Sequence, residues 1–334
     1  MVIENDFLPF ATASGANVLS QSAYVALGAL GTGFQSGVAS SAQLNKVWRQ
    51  SSIMSAVLAQ FIVNSTGQPA IDDGTTATLL ANLTAAISAQ SEATIGAARN
   101  VFMSVTAASA TATLTADEIV IGSALGGLKY TLSSFSKTIN LATTGAGGMD
   151  TGAAPASGYV ALYAIYNPAT GASALLATNA TSAAAPNVYG GANMPGGYTA
   201  SALVSVWPTS SSQFVVGTQR DRKIARSSVQ VLSTTSTVTT TPLTVSSAIP
   251  PNAVACSGIL EVTNGSSSTA PAISVYANAQ SCGQQSIDVY ETTGTTLNSP
   301  FNDLMVSVPS TIYYGTSTTS GTSTYAIRIT AYSI

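Results

Sequence analysis

Between Leu44 and Phe61 the large apolar residues recur every three or four positions, through Leu44, Val47, Met54, Leu58 and Phe61, with Ser51 in phase. That spacing predicts a helix with one apolar seam, flanked by Ile53, Val57 and Ile62. Ala56 and Ala59 favour helix. Asn64-Ser65-Thr66-Gly67, with Pro69 beyond, predicts where it stops. A second helix is predicted after Asp72 or Asp73, either of which can cap it. Its seam runs through Thr76, Leu80, Leu83, Ile87, Gln90 and Thr94. Upstream, Ser20 is placed to cap a short helix carrying Tyr24, Leu27 and Leu30, which Gly31, Gly33 and Gly37 break. The first dozen residues read as extended and suited to docking on another molecule.

Both seams suit the core face of one globular domain. Gln90 and Thr94 also resemble polar layers on a symmetry axis, where identical side chains can bond each other. A homo-oligomeric bundle, most simply three-fold, explains them better. Its seam would be Leu44, Val47, Met54, Leu58, Phe61, Leu80, Leu83 and Ile87.

From about residue 99 the period shortens to two. In SGYVALYAIYNPATGASALLAT, Tyr159, Ala161, Tyr163 and Ile165 alternate with Val160, Leu162, Ala164 and Tyr166. Both faces are apolar or aromatic, as in a strand covered on both sides, within a sandwich or between subunits. Asn167 to Gly171 is its turn. Further strands fit Asp117–Ile121, Tyr130–Asn140, Ala202–Trp207 and Gln213–Gly217. After residue 227, Ser/Thr/Val runs cut by Pro, Asn and Gly suggest about eight short strands, among them Gly258–Thr263, Ala272–Tyr276, Ser286–Tyr290, Leu304–Val308 and Tyr325–Tyr332. The expected fold is mainly β with an N-terminal α-helical region. A helical bundle on a trimer axis (1–98) precedes a central β domain (99–227) and a C-terminal antiparallel β-sandwich or jelly-roll-like domain (228–334).

Composition sharpens the oligomer expectation. Only 7% of the 334 residues are charged, against about 25% in ordinary domains, so a monomer has little charge to keep it dispersed. A net charge of −3 offers no basic field for nucleic acid. Glu4 and Asp6 stand where the cationic part of a signal peptide would lie, so none is expected, and no apolar run is long enough to suggest membrane insertion. Cys256 and Cys282 are expected as free thiols of a chain folded in a cytoplasm.

Histidine is absent, which removes the commonest general base, the Ser–His pair and the usual zinc ligand. Neither a P-loop nor a dinucleotide fingerprint occurs, and GAGG at 145–148 reads as a tight turn. No cofactor, metal or catalytic residue is expected. Asp117–Glu118, Asp150, Asp288 with Glu291, and Asp303 are the carboxylates a glycan-cleaving site could draw on; strand edges and turns account for them more simply. In QRDRKIAR, the cluster Arg220, Asp221, Arg222, Lys223 and Arg226 suits ion pairs between domains or subunits, in preference to binding lipopolysaccharide phosphates. Lys46 and Arg49 fall on the outer face of the first helix. Tyr313, Tyr314 and Tyr325 flank a loop of turn formers and are candidates for stacking on sugar rings, or for strand-end packing.

Two stretches carry a family resemblance. FATASGANVLSQSAYVAL…GFQSGVASSAQLNKVWRQSSIMSAVLAQFI…DDG resembles the N-terminal region of tail fibre proteins of tailed bacteriophages and prophages, most specifically at residues 34–52. GAGGMDTGAAPASGYVALYAIYNPATG and NMPGGYTASALVSVW (193–207) resemble the β domain that follows it. Together they span about two-thirds of the chain. The resemblance implies a non-enzymatic homotrimeric fibre in the virion tail, made in the host cytoplasm. Its N-terminus would attach to a tail tube, nozzle or baseplate protein, and its C-terminal domain would contact host surface polysaccharide or lipopolysaccharide. A polysaccharide depolymerase, carboxylate-based, and a purely structural tail or collar component are the alternatives.

Overall fold

Ser20 starts the first helical turn by accepting a hydrogen bond from the Ala23 N–H at 3.1 Å, as its cap position predicts. In the computed structural model, which describes residues 3–37, 40–89, 93–265, 270–289 and 294–334, α1 (Gln21–Val25) and α2 (Ala29–Thr32) precede the long helix α3 (Ser41–Thr66). At the end of α3 Gly67 adopts φ 68°, a left-handed cap whose N–H bonds the Val63 carbonyl. The second helix, α4 (Ala77–Ala89), begins later than expected. Asp72 and Asp73 shape the preceding turn instead, Asp73 accepting both the N–H and the hydroxyl of Thr75 at 2.8 Å. Gln90 lies outside the described residues, and Thr94 lies beyond the helix.

The chain divides into two compact units, Met1–Glu92 and Ala93–Ile334. In the first, the opening residues make contacts within the chain itself. Asn5 pairs with Ala70, the Phe10 N–H bonds the Ser52 hydroxyl at 2.9 Å, and the Phe10 ring meets Trp48 edge-on.

The second unit is mostly antiparallel β. Its first part holds β1 (Ala98–Arg99), β2 (Phe102–Val105), β3 (Thr111–Gly122), β4 (Lys129–Asn140), β5 (Ser157–Asn167), β6 (Ala172–Asn179), β7 (Ala200–Ser210), β8 (Gln213–Phe214) and β9 (Gly217–Arg220). The expected hairpin is β5–β6, with the Asn167 side chain accepting from Ala169 and Thr170 in the turn. Val160, Leu162 and Ala164 face the main core; Tyr159, Ala161, Tyr163 and Ile165 face a second cluster with Leu176, Leu203 and Val206. The chain itself covers that second face, through Ala185, Tyr189, Met194 and Tyr198 of the β6–β7 connection. The GAGGMD stretch does more than turn. Gly147 donates to the Leu175 carbonyl and Asp150 to that of Ala177, while Asn140 donates to Gly147, so the stretch bridges the end of β4 to β6. A side chain at Gly148 would overlap the Thr143 carbonyl.

The remaining strands are β10 (Lys223–Thr234), β11 (Val238–Thr244), β12 (Ala255–Thr263), β13 (Ala272–Tyr276), β14 (Gln285–Asp288), β15 (Thr296–Met305), β16 (Thr311–Ser317) and β17 (Thr324–Ser333). They form two antiparallel layers, ordered β10-β17-β12-β15 and β11-β16-β13-β14. Apart from the β13–β14 step, which stays within the second layer, each step along the chain crosses from one layer to the other. That order is the eight-stranded jelly roll of two Greek keys. Leu260, Val262, Phe301, Tyr325, Ile327 and Ile329 of the first layer and Ile273, Val275 and Ile312 of the second are buried in the shared core. β10 also pairs with β9, and β9 with β2, so the first layer continues into the central sheet. The division expected at 227 falls inside β10, because a strand with partners on both edges belongs to both neighbours.

Gly258 shows how closely the first layer is packed. A Cβ there would overlap the Arg328 carbonyl oxygen of β17 and come within 2.6 Å of the Phe301 ring. Gly258→Ala is expected to destabilise the unit by about 3 kcal/mol, the upper end for an overpacked core. Thermal denaturation should show that as a fall of roughly 6–12 °C for a unit of this size.

Candidate functional site

In the helical unit the buried stripe is not the predicted seam. Among its described residues the buried side chains are Lys46, Ala59, Ile62, Ala70 and Ala86. Ala59 and Ile62 each follow a seam residue, Leu58 and Phe61, by one position, a rotation of about 100° around the helix. The chain's own α4 and Phe7 therefore pack beside the seam, leaving a groove of about 260 Å³ lined by Leu58, Ile62, Leu79, Leu80 and Leu83. Leu44, Val47, Phe61 and Leu83 are half-buried. Met54 is 61% exposed, Leu80 65%, Ile87 61% and Leu58 49%, with Trp48 and Val57 exposed beside them. Lys46 was expected on the outer face; it is buried, with its ammonium 5.7 Å from the centre of the Tyr24 ring.

The charged cluster is the hairpin between β9 and β10. Asp221 holds φ 50° at the turn and its carboxylate accepts the Val101 N–H at 3.0 Å. Arg222 donates to the Gly96 carbonyl at 3.3 Å, and Arg220 lies 4.9 Å over the Phe102 ring. Lys223 pairs with Asp303 at 2.8 Å, and its hydrogen bond and charge hold the Asp303 carboxyl below the usual range. Arg226 donates to the Ser247 and Ala248 carbonyls. The cluster thus clamps the central sheet to the jelly roll, mostly by bonds to backbone; the Lys223–Asp303 pair is exposed and worth at most about 1 kcal/mol.

Asp150, Asp117 and Asp303 each have a separate structural partner. Asp150 accepts the Tyr189 hydroxyl at 2.9 Å; burial together with that bond pushes the Tyr189 hydroxyl up to about 12. Asp117 accepts from the Asn100 side chain, Asp303 from Lys223 and Ser257, and Glu118 lies on β3. Asp288 is exposed on β14, and Glu291 lies outside the described residues. Cys256 is buried, which raises its thiol to about 12, and Cys282 is exposed; both are unbonded.

The three tyrosines part company. Tyr325 is fully buried between the layers, its hydroxyl donating to the Ser317 carbonyl at 2.7 Å, so it is a core residue and not a contact for a receptor. Tyr314 packs against the core from β16, and Tyr313 points to the opposite, outer face. There its cross-strand neighbours are Tyr276 and Pro242. Next to this row lies an open trough of about 570 Å³ lined by Thr239, Thr240, Ser274, Tyr276, Gly315 and Ser317, among others.

No protein-family model matches the chain, and no curated protein matches it. A solved chain from the crystal structure of the T13 IBDV viral particle aligns over 72% of this chain and 71% of its own, at 10% identity. Its TM-score of 0.22 is too low to support a fold or a function.

Sequence reasoning missed Tyr276 and Gly315. The inward alternation of Ile273 and Val275 was the signal that turned Tyr276 outward. Its pairing with Tyr313 depends on strands 37 residues apart meeting in register.

Proposed function

We propose that the chain is a structural component of a bacteriophage tail fibre, acting by binding and not by turnover. Three copies associate through the helical unit, which attaches to a tail tube, nozzle or baseplate protein, and the jelly roll contacts the surface of the host cell. The observation that carries this reading is the uncovered seam on α3 and α4, with Met54, Leu80 and Ile87 each more than half exposed in the single chain. A unit whose buried side chains are mostly alanines has too little core to stand alone. Such a contiguous apolar face marks an association surface, and the a/d spacing of its residues suits copies of the same helix. The C-terminal jelly roll is a frequent scaffold of capsid and lectin domains, and residues 34–52 carry the resemblance to tail fibres.

The test uses particles and the purified full-length chain. A gold label at Ile334 is expected at the free end of a tail appendage in electron micrographs. The purified chain is expected to compete with particles for adsorption to host cells. A label elsewhere on the particle overturns the fibre reading, and adsorption unaffected by a large excess of chain overturns host contact.

A further inference from the structure

The outer face of the β11-β16-β13-β14 layer has two kinds of surface side by side. One is a row of flat apolar rings, Pro242, Tyr313 and Tyr276, which the register sets across three adjacent strands. The other is the hydroxyl-lined trough beside it. Gly315 lies in the trough under the edge of the Tyr276 ring, close enough that a Cβ there would lie 3.3 Å from the Tyr276 hydroxyl and 3.5 Å from the ring. The shift in register between Val238 and Thr241 swings Thr239 and Thr240 out opposite Gly315 and raises the wall. Several hydroxyls are already held in place. Thr316 donates to the Ser236 carbonyl at 2.7 Å and accepts from Val238, and Thr240 bonds Ser281 at 2.6 Å. A volume of about 570 Å³ falls within the roughly 300–1,000 Å³ of small-ligand clefts.

From this pairing we infer that the trough binds an uncharged hexose unit of a surface glycan. The inference rests on the host-contact reading above and names its ligand class. A pyranose has an apolar C–H face, which suits the Tyr276 ring, and a rim of hydroxyls, which Ser274, Thr239, Thr240 and Ser317 can match as donors and acceptors. Charge selects the neutral sugar. None of the residues lining the trough is charged, so no cation is there to offset an acidic sugar. Asp288, opposite Ala272 on the same face, repels one. Preset hydroxyls limit the ordering cost of binding.

The full-length chain is to be tested on an array of neutral hexose oligosaccharides and uronic-acid oligosaccharides, alongside Gly315→Val, which fills the trough, and Tyr276→Ala, which removes the ring. Melting curves confirm that each variant is folded. Neutral oligosaccharides are expected to bind, with affinity falling at least tenfold in either folded variant. Binding confined to the acidic set, neutral binding unchanged in both variants, or no binding to any member overturns the inference. The adsorption competition separates the two levels. If the wild-type chain still blocks adsorption while no neutral sugar binds, the ligand class is wrong and host contact stands; if it does not block, host contact falls as well.

Discussion

A chain ending at residue 227 is expected to lose cooperative folding of its β unit, and not to yield a shortened but intact central domain. The central sheet is closed by residues from far downstream. The Tyr332 hydroxyl, fully buried, donates to the Val206 carbonyl on β7, and the Ile334 N–H bonds the Arg222 carbonyl. Asn252 makes two hydrogen bonds of 2.8 Å with the backbone of Ala185, and the Tyr159 hydroxyl donates to Ser246. Burial pushes that Tyr159 hydroxyl up to about 12, so it stays a donor. Removing the last strand also takes the β17 partner from Lys223, Ile224 and Ala225, in the short piece of β10 that is left. Losing one buried aromatic alone costs about 3–5 kcal/mol, and each hydrogen bond about 1 kcal/mol more. Together these reach the 5–15 kcal/mol that holds a typical domain folded. Circular dichroism of residues 93–227 on heating should therefore show no sharp transition. A cooperative melt close to that of the full chain would mean that the two β zones fold independently. For the same reason, receptor contact is better probed by point substitutions than by removing the jelly roll.

Replacing Met54, Leu80 and Ile87 together by glutamate is expected to turn the proposed trimer into single chains. Within one chain these side chains are 61%, 65% and 61% exposed, so charges there change its stability by no more than about 0.5 kcal/mol each. On the proposed shared axis the same charges would meet their own copies out of water, where each buried apolar side chain would be worth roughly 1.5–3 kcal/mol and an unpaired charge is strongly disfavoured. Sedimentation should move from three chain masses to one, while the β unit melts as before. A wild-type chain that sediments alone, or a triple variant that remains a trimer, removes the basis for the bundle.

The contrast between the two units shows which features can be read from neighbouring residues. The end of α3 at Gly67, the β5–β6 hairpin and its two apolar faces, and the strands near Gly258–Thr263 and Tyr325–Tyr332 all followed from period and turn chemistry. These are properties of contiguous residues: side chains three or four apart share a helix face, and those two apart share a strand face. The start of α4 was misjudged because an aspartate can close a turn as readily as it caps a helix. Beside a polar loop Tyr325 could be read either as a sugar-stacking ring or as strand-end packing; the alternation Tyr325, Ile327, Ile329 puts it on the inner face of β17.

Strand order belongs to the folded chain. Short strands of similar composition can pair in many orders, and nothing in their local pattern selects the jelly roll over another sandwich. Burial of both layers' inner faces together makes that selection, and it also carries β10 across the expected boundary and sets Tyr276 beside Tyr313. Local preference names the pieces because it is spent within a few residues of backbone. Their arrangement depends on contacts between residues tens to hundreds of positions apart, which exist only after the core has closed.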